Sequence, residues 1–124
     1  MMIYEVVMKA RDLEERTRRF AVSVIGLTDR LRHNRANDII ARQMIRSASS
    51  IGANYREAVR AESRDDFIHK LNISSKEAAE TQYWLEILND LRPSPETSVL
   101  LEESGALLRI LTAGVKTARS RPTS

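Results

Sequence analysis

The sequence predicts an all-α protein, an up-down-up-down antiparallel four-helix bundle, and three observations lead to this fold class. Apolar residues recur at alternating steps of three and four over four long stretches. Short polar breaks separate these stretches. Glycines (4), prolines (3) and aromatic residues (5%) are few, which suits helices and argues against a sandwich or a barrel. We therefore expect one domain over residues 1–124, with helices at about 12–32, 37–60, 64–91 and 95–118.

The first predicted helix carries one apolar seam that keeps the bundle spacing throughout: Leu13, Thr17, Phe20, Val24, Leu27 and Leu31. Asp12 is the expected N-cap, because its side chain can accept from a free backbone N–H. The preceding residues 1–10 are open to two interpretations. They either extend this helix upstream or form a short apolar arm that packs on a neighbour.

The second predicted helix follows the polar break HNRAN, with Asn37 or Asp38 as its cap. It has an apolar seam of mostly small residues, which lets a neighbouring helix approach closely: Ala41, Met44, Ala48, Ile51, Tyr55 and Ala58. A second line of the same rhythm forms a basic stripe on another face: Arg42, Arg46, Ser49, Ala53, Arg56 and Arg60. Asn54 and Glu57 lie between the two lines.

The third and fourth helices have the clearest start signals. Ser63 with an acid at Asp66 resembles a capping box, and Ser94 followed by Pro95 marks a helix start. The third helix has a seam and a second apolar edge: Phe67, Leu71, Ser74, Ala78, Thr81, Leu85 and Leu88, then Ile73, Trp84, Ile87 and Leu91. The fourth repeats this arrangement: Leu100, Leu107, Leu111 and Gly114, then Leu101, Leu108 and Val115. The third helix carries more apolar residues than one buried seam needs, so its second apolar edge should be exposed in a monomer. An exposed apolar surface of this kind predicts an oligomer.

Polar side chains near the seams of helices two and three predict a structural network: Arg46, Asn54, Glu57, Glu77 and Glu80. Because these helices are expected to be antiparallel, Arg46 should come within reach of Glu80. Glu57 should meet Lys70 or Lys76, and Asn54 should hydrogen-bond across the helices. Buried polar groups cost free energy unless they are paired, so such a network would fix register or oligomer contacts.

Arginine dominates the positive charge, since only four of the twenty cations are lysines. Two arginine stripes are candidates for binding an RNA or DNA backbone: Arg16, Arg19 and Arg30 on the first helix, and Arg42, Arg46, Arg56, Arg60 and Arg64 on and after the second. The guanidinium group matches phosphate geometry. No tyrosine or phenylalanine is interleaved with the stripes, so base stacking is not expected. Arg–Glu pairs between subunits, a solvated face or a GC-rich genome would also explain the arginines.

No residue pattern predicts catalysis, a metal site or a cofactor. The chain has no cysteine, so disulfides and thiolate metal sites are excluded. A di-iron bundle needs paired Glu-x-x-His motifs, whereas Glu77 and Glu80 are both carboxylates, and the histidines His33 and His69 lie elsewhere. No apolar run approaches the roughly 20 residues of a membrane span, and the first residues do not resemble a signal peptide. We expect a cytoplasmic protein that does not contact a membrane.

Three runs resemble one family: RSASSIGANYREAVRAES from Arg46, DFIHKL from Asp66 and KEAAETQYWL from Lys76. They are similar to the bacterial four-helix-bundle proteins encoded in intervening sequences of 23S rRNA genes, and the resemblance spans about residues 10–111. Asn72 and Ser74 depart from the family pattern, in which apolar or small residues are frequent. This departure predicts a looser seam on the third helix.

The resemblance implies a homo-oligomer, most often a pentameric ring. Relatives include the accessory variability determinant of diversity-generating retroelements, a basic barrel that binds a reverse transcriptase and nucleic acid. The implied partners are therefore other copies of the chain, RNA or DNA, and a nucleic-acid-processing protein. The family has no assigned catalytic residues, so none is implied here.

The sequence as a whole favours a non-enzymatic oligomer that acts as a nucleic-acid-binding adaptor. The alternative is a structural or protein-interaction oligomer whose arginines serve subunit contacts. A small enzyme is the third hypothesis.

Overall fold

The structure, a computed structural model, describes the backbone of residues 3–121 and the side chains of residues 9–121. It contains α1 (Ile3–Asp29), α2 (Arg35–Val59), α3 (Arg64–Leu91) and α4 (Pro95–Ser120). Consecutive helices pack together and α1 also contacts α4, whereas within the described residues the diagonal pairs do not meet. This is the arrangement of an up-down-up-down four-helix bundle. The all-α prediction is confirmed.

The predicted seams form one continuous core. Their members are buried on all four helices, with Leu13, Leu31 and Phe67 packed half-buried at the ends. The largest fully buried side chains include Met44 and Ile51 of α2 and Leu85 and Leu88 of α3. Leu107 and Leu111 of α4 and Val24 of α1 are buried as completely, so all four helices build the centre of the bundle.

Buried hydroxyl groups tie α2 to α3. The Ser74 hydroxyl donates to the backbone carbonyl of Ile51 at 2.7 Å, and the Thr81 hydroxyl donates to the Ser47 hydroxyl at 2.8 Å. All three hydroxyl side chains belong to fully buried residues. The expectation that Ser74 loosens this seam is therefore wrong, because its polar atom has a partner on the facing helix.

The close approach of α1 to α2 depends on Gly52. A Cβ atom at this position would lie 2.9 Å from Oγ1 and 3.3 Å from Cβ of Thr17. Thr17 is fully buried, and its hydroxyl already donates to carbonyl groups one turn back in α1. The Thr17 side chain therefore has little room to move, and a larger residue at position 52 must push the helices apart.

Two helix starts differ from the prediction. Helix α1 begins at Ile3 rather than at about Asp12, which confirms the first of the two interpretations of residues 1–10, an upstream extension of the helix, for the residues that the structure describes. It ends at Asp29, where the N–H groups of Arg30 and Leu31 donate to carbonyls three residues back. Helix α2 is capped by Asn34 rather than Asn37, since the Asn34 side chain accepts from the Asn37 N–H at 2.8 Å.

The caps of α3 and α4 are confirmed. The Ser63 hydroxyl accepts from the N–H of Asp66 at 3.0 Å. The Ser94 hydroxyl accepts from the N–H of Thr97 at 3.1 Å, directly before Pro95. These short polar signals act within a few residues of the chain, which is why the sequence alone predicts them well.

The contact between Gly52 and Thr17 predicts a stability loss on substitution. Gly52→Ala should destabilise the protein by about 1–3 kcal/mol, because the added methyl group overpacks the interface between α1 and α2. Urea unfolding at one fixed protein concentration measures this change.

Gly26→Ala is the matched control for that substitution. Its Cβ atom would meet only the tip of the Arg30 side chain, at 3.7 Å. Replacing a helical glycine with alanine in open space should stabilise the protein by roughly 0.5–1 kcal/mol. Equal stability of the two variants would contradict the close approach at Gly52.

Candidate functional site on α2 and its flanking helices

Three of the eight candidate arginines hold α1 against its neighbours. Arg16 donates two hydrogen bonds to the Glu103 carboxylate of α4, at 2.7 and 2.8 Å. Arg30 pairs with Glu96 of α4. Arg60 of α2 pairs with Glu14 of α1 at 2.6 Å. These guanidinium groups are neutralised within the chain, so they are poor candidates for binding phosphate.

Arg64 is also committed to the fold. Its guanidinium group donates to the backbone carbonyls of Ala118, at 2.6 Å, and of Arg121. The last carbonyl groups of a helix have no partners within the helix, and a cation there also complements the helix dipole. Arg64 therefore caps α4 and ties it to the start of α3.

Arg46 lies at the centre of a cluster of ionic and aromatic side chains between α2 and α3. It pairs with Glu77 at 2.9 Å and with Glu80, and both acids belong to α3. The Trp84 indole N–H donates to the same Glu80 oxygen at 3.1 Å. The predicted contact between Arg46 and Glu80 is present in this geometry.

This cluster shifts the proton affinity of both partners. The hydrogen bond from Arg46 lowers the pKa of Glu80, with a smaller contribution from Trp84, while partial burial opposes the shift. The Glu80 carboxylate in turn raises the pKa of Arg46. Both groups are thus held in their charged forms at neutral pH, and Arg46 has little capacity left for an external anion.

The other members of the predicted network lie apart from this cluster. Glu57 pairs with Lys70 at 3.2 Å, and Lys70 is one of the two partners expected for it. Asn54 does not hydrogen-bond across the helices, because its amide N–H donates to the Ser50 carbonyl at 2.9 Å, one turn back in α2. A carbonyl on the same helix is nearer to a short amide side chain than the facing helix is. The single predicted network is therefore two separate ion-pair groups and one local contact.

Arg19, Arg42 and Arg56 are exposed and form no salt bridge with any described side chain. The pKa of Glu15 is lowered chiefly by its hydrogen bond from Arg18, and the charges of Arg19 and Arg56 lower it further. Arg56 lies beside Ser49 and Ala53 on the edge of α2 that faces α1. Arg42 continues the same helical line, about two turns before Ser49. The predicted stripe is thus divided, since Arg42 and Arg56 point outward on one edge while Arg46 is held against α3.

An apolar patch covers the outer face of α2 and α3 beyond the Arg46 cluster. We define it by its residues: Ile39, Tyr83, Trp84, Ile87 and Leu91. Tyr83 is 57% exposed, Leu91 55% and Ile39 46%, and the Tyr83 and Trp84 rings meet edge to face at 5.5 Å. The register set by Ser74 and Thr81 places Ile39 level with Ile87.

The sequence predicts Trp84, Ile87 and Leu91 of this patch, which share one helical line of α3. It does not predict Tyr83 and Ile39 as members. Ile39 shares the line of Gln43 and Arg46 on α2, so spacing would have revealed it.

Within residues 9–121, no group of three or more His, Asp or Glu side chains is arranged to hold a metal ion. None of the described helices is long and apolar enough to cross a membrane.

The fold and the α2–α3 face define a class of protein, a four-helix bundle with an ion-paired polar cluster beside an exposed apolar patch. The chain belongs to the 23S rRNA-intervening sequence protein family, whose model matches residues 9–113. The resemblance is confirmed. No curated protein matches the chain.

A solved structure from Bacteroides thetaiotaomicron, described as a protein with unknown function from the S23 ribosomal protein family, is similar to this chain. The two share 36% sequence identity and superpose with a TM-score of 0.78 over 87% of this chain and 98% of the other. This relative supports the fold and the family, and its function is also unknown.

The Arg46–Glu80 pair predicts a pH-dependent contribution to stability. Because the pKa of Glu80 is lower in the folded chain, the pair stabilises the protein above the ordinary carboxyl pKa of about 4.3. This contribution is lost as the pH falls through the folded pKa. Glu80→Gln should be less stable than wild type at pH 7, by less than about 1 kcal/mol since the pair is partly exposed to solvent. The difference should shrink at pH 3.

Urea unfolding at pH 7, 5 and 3 measures this difference. Glu86→Gln is the control, because Glu86 is exposed on the same helix and pairs with no described side chain. Its difference from wild type should stay near zero at every pH. A Glu80→Gln difference as large at pH 3 as at pH 7 would show that the charge of Glu80 is not what stabilises the cluster.

Proposed function

We propose that this chain is a non-enzymatic, cytoplasmic, self-associating module that binds the phosphate backbone of RNA or DNA. The observation that carries this proposal is the edge of α2 beside α1, where Arg42 and Arg56 are exposed and form no salt bridge with a described side chain, although the Glu15 carboxylate of α1 lies near enough to Arg56 to feel its charge. Ser49 and Ala53, which lie between them on α2, are small and uncharged, and with Arg56 they line a surface groove against α1 that also includes Arg18 and Glu14.

The ion pairs within the chain leave only a few arginines as candidates for contacting phosphate groups. Five of the eight candidate arginines are bound to groups of this chain, which leaves Arg19, Arg42 and Arg56. Arg42 and Arg56 are separated by about 21 Å along α2, at 1.5 Å per residue. One subunit can therefore contact only a few separated phosphates, and its binding to nucleic acid should be weak.

Self-association would multiply these contacts. The apolar patch is supporting evidence, since an apolar surface rimmed by charged residues commonly marks a protein interface. Family resemblance favours a pentameric ring, in which each subunit repeats the Arg42–Arg56 edge. Linked sites bind one long strand far more tightly than each site binds alone.

A nucleic-acid-processing protein is the further partner that we propose on the same resemblance.

The alternative function is a structural or protein-interaction oligomer. The same ion pairs favour it, because most of the candidate arginines already serve contacts within the protein. In this case Arg42 and Arg56 would pair with carboxylates of a neighbouring subunit, and the protein would not bind nucleic acid.

Replacing the two free arginines of α2 separates these functions. Arg42→Glu/Arg56→Glu should weaken binding to RNA and DNA by at least tenfold at low salt, because each charge reversal adds repulsion to the lost phosphate contact. Wild-type affinity should fall steeply with salt, with a log–log slope of roughly 0.7–0.9 per phosphate contacted, and should depend little on base sequence. Fluorescence anisotropy with single- and double-stranded RNA and DNA across a salt series measures both effects.

Arg92→Glu/Arg119→Glu is the matched control, with the same change in charge at exposed positions outside the α2 edge. It should retain most of the wild-type affinity, and light scattering should confirm that both variants assemble as wild type does. If wild type does not bind, if its binding is insensitive to salt, or if both double variants bind equally, the nucleic-acid proposal is wrong and the interaction-module alternative replaces it.

A further inference from the structure

Two different surfaces on opposite sides of the bundle are exposed in the single chain. The first is the apolar patch on the outer face of α2 and α3. The second lies between α1 and α4, the most loosely packed pair of neighbouring helices. Because the diagonal helices do not meet among the described residues, the α1–α4 face points away from the α2–α3 face. A subunit of a ring needs two such surfaces, since it contacts two neighbours.

The face between α1 and α4 contains a groove of about 660 Å³. Phe20 and Leu100 form its floor, since both are almost fully buried and yet line it. The small side chains of Ser23 and Ala106 also line the groove and leave it open. Val99 lines it as well and is 62% exposed. The groove can therefore receive a large apolar side chain from another molecule.

The charges that line this groove are positive overall. Arg16 and Glu103 pair with each other and neutralise one another. Arg19 of α1 and Arg109 of α4 form no salt bridge with any described side chain. The remaining charges are therefore two cations against one acid, Glu102. This balance favours a partner surface that carries acidic side chains.

The apolar patch has an acidic edge on α3. Asp90 precedes Leu91, and Glu86 lies one turn earlier, beside Tyr83 and Ile87. Both acids are exposed and form no salt bridge with any described side chain. The arginines that border the patch lie on α2 or beyond the end of α3: Arg35, Arg42 and Arg92. The α3 edge of the patch therefore has the opposite charge to the groove between α1 and α4.

We propose that the apolar patch of one copy docks into the α1–α4 groove of the next copy, with Asp90 facing Arg19 and Arg109. The contact is head-to-tail, so it can repeat around a closed ring. This inference rests on the self-association proposed above, and it adds which two surfaces meet. Among the arginines without a salt bridge, it assigns Arg19 to the contact between subunits and leaves Arg42 and Arg56 for nucleic acid.

A two-fold contact is the alternative arrangement. In it the patch of one copy meets the patch of another, and the α1–α4 groove stays open in both copies. A head-to-tail contact instead brings α3 of one copy to α1 and α4 of the next. The charges favour the head-to-tail contact, because a two-fold contact would leave the positive groove without an acidic partner.

Cysteine cross-linking of the full chain tests the inference, because the natural chain has no cysteine. Tyr83→Cys and Val99→Cys place one thiol on each surface, at exposed positions. The two variants are refolded together from urea and treated with a short bis-maleimide. The mixture should give covalent dimers that contain one chain of each variant, whereas each variant alone should give none. Val22→Cys, exposed on α1 outside both surfaces, is the matched control and should not cross-link to Tyr83→Cys.

Charge reversal tests the ionic part of the same contact. Arg19→Glu/Arg109→Glu should lower the mass measured by light scattering, because the groove would then repel Asp90. Adding Asp90→Arg to that chain should restore the wild-type mass, since opposite charges would face each other again. This recovery also shows that the substituted chain still folds.

The outcomes distinguish this inference from the self-association on which it rests. Covalent dimers of Tyr83→Cys alone would show the two-fold contact and overturn the head-to-tail inference, although the protein would still self-associate. Cross-linking of Tyr83→Cys to Val22→Cys as efficient as that to Val99→Cys would also overturn it, as would an oligomer that gives no mixed dimers. A monomeric wild type would instead contradict self-association itself, and the inference with it.

Discussion

The buried hydroxyl contacts between α2 and α3 fix the register on which the surface of this protein depends. Ser74 finds its acceptor, the Ile51 carbonyl, on α2, and a slip along the helices would leave this buried donor unpaired at a cost of roughly 1–3 kcal/mol. The Thr81 hydroxyl contacts Ser47 of α2 but also has an acceptor in its own helix, the Glu77 carbonyl at 2.8 Å. The same register brings Arg46 to Glu77 and Glu80. It also places Ile39 level with the apolar residues of α3. The ionic cluster and the apolar patch are thus consequences of one helix pairing.

The sequence predicts what depends on local pattern and fails where tertiary geometry decides. The seams and the caps at Ser63 and Ser94 follow from spacing and side-chain chemistry within a few residues. The contact of Arg46 with Glu80 follows from antiparallel pairing alone. A helix start at Asp12 is wrong, because Asp12 is a plausible cap inside a pattern that continues the helix, whereas the alternative of an upstream extension is confirmed. The local contact of Asn54 could not be predicted, because amide side chains choose between the same helix and the facing one.

The sequence could not predict which arginines form ion pairs within the chain and which remain exposed. Arginines on one helical line look equivalent, yet neighbouring helices present hydrogen-bonded carboxylates to Arg46 and Arg60. Arg56 has only the more distant Glu15 of α1, and Arg42 forms no salt bridge with a described side chain. Pairing lowers the charge available to a partner, so the functional interpretation shifts from two broad stripes to a few separated cations. Such a sparse surface needs repetition to hold a polyanion. The proposed binding of nucleic acid therefore depends on self-association.

Multi-angle light scattering at micromolar concentration tests this claim most directly. Wild type should have a mass several times that of the 14.1 kDa chain. Leu91→Lys should lower the mass by placing a charge in the apolar patch, whereas Val22→Lys, equally exposed on α1 outside the patch, should leave it unchanged. A wild-type monomer at 14.1 kDa would contradict self-association, and an unchanged mass in Leu91→Lys would contradict the assignment of the patch as the interface.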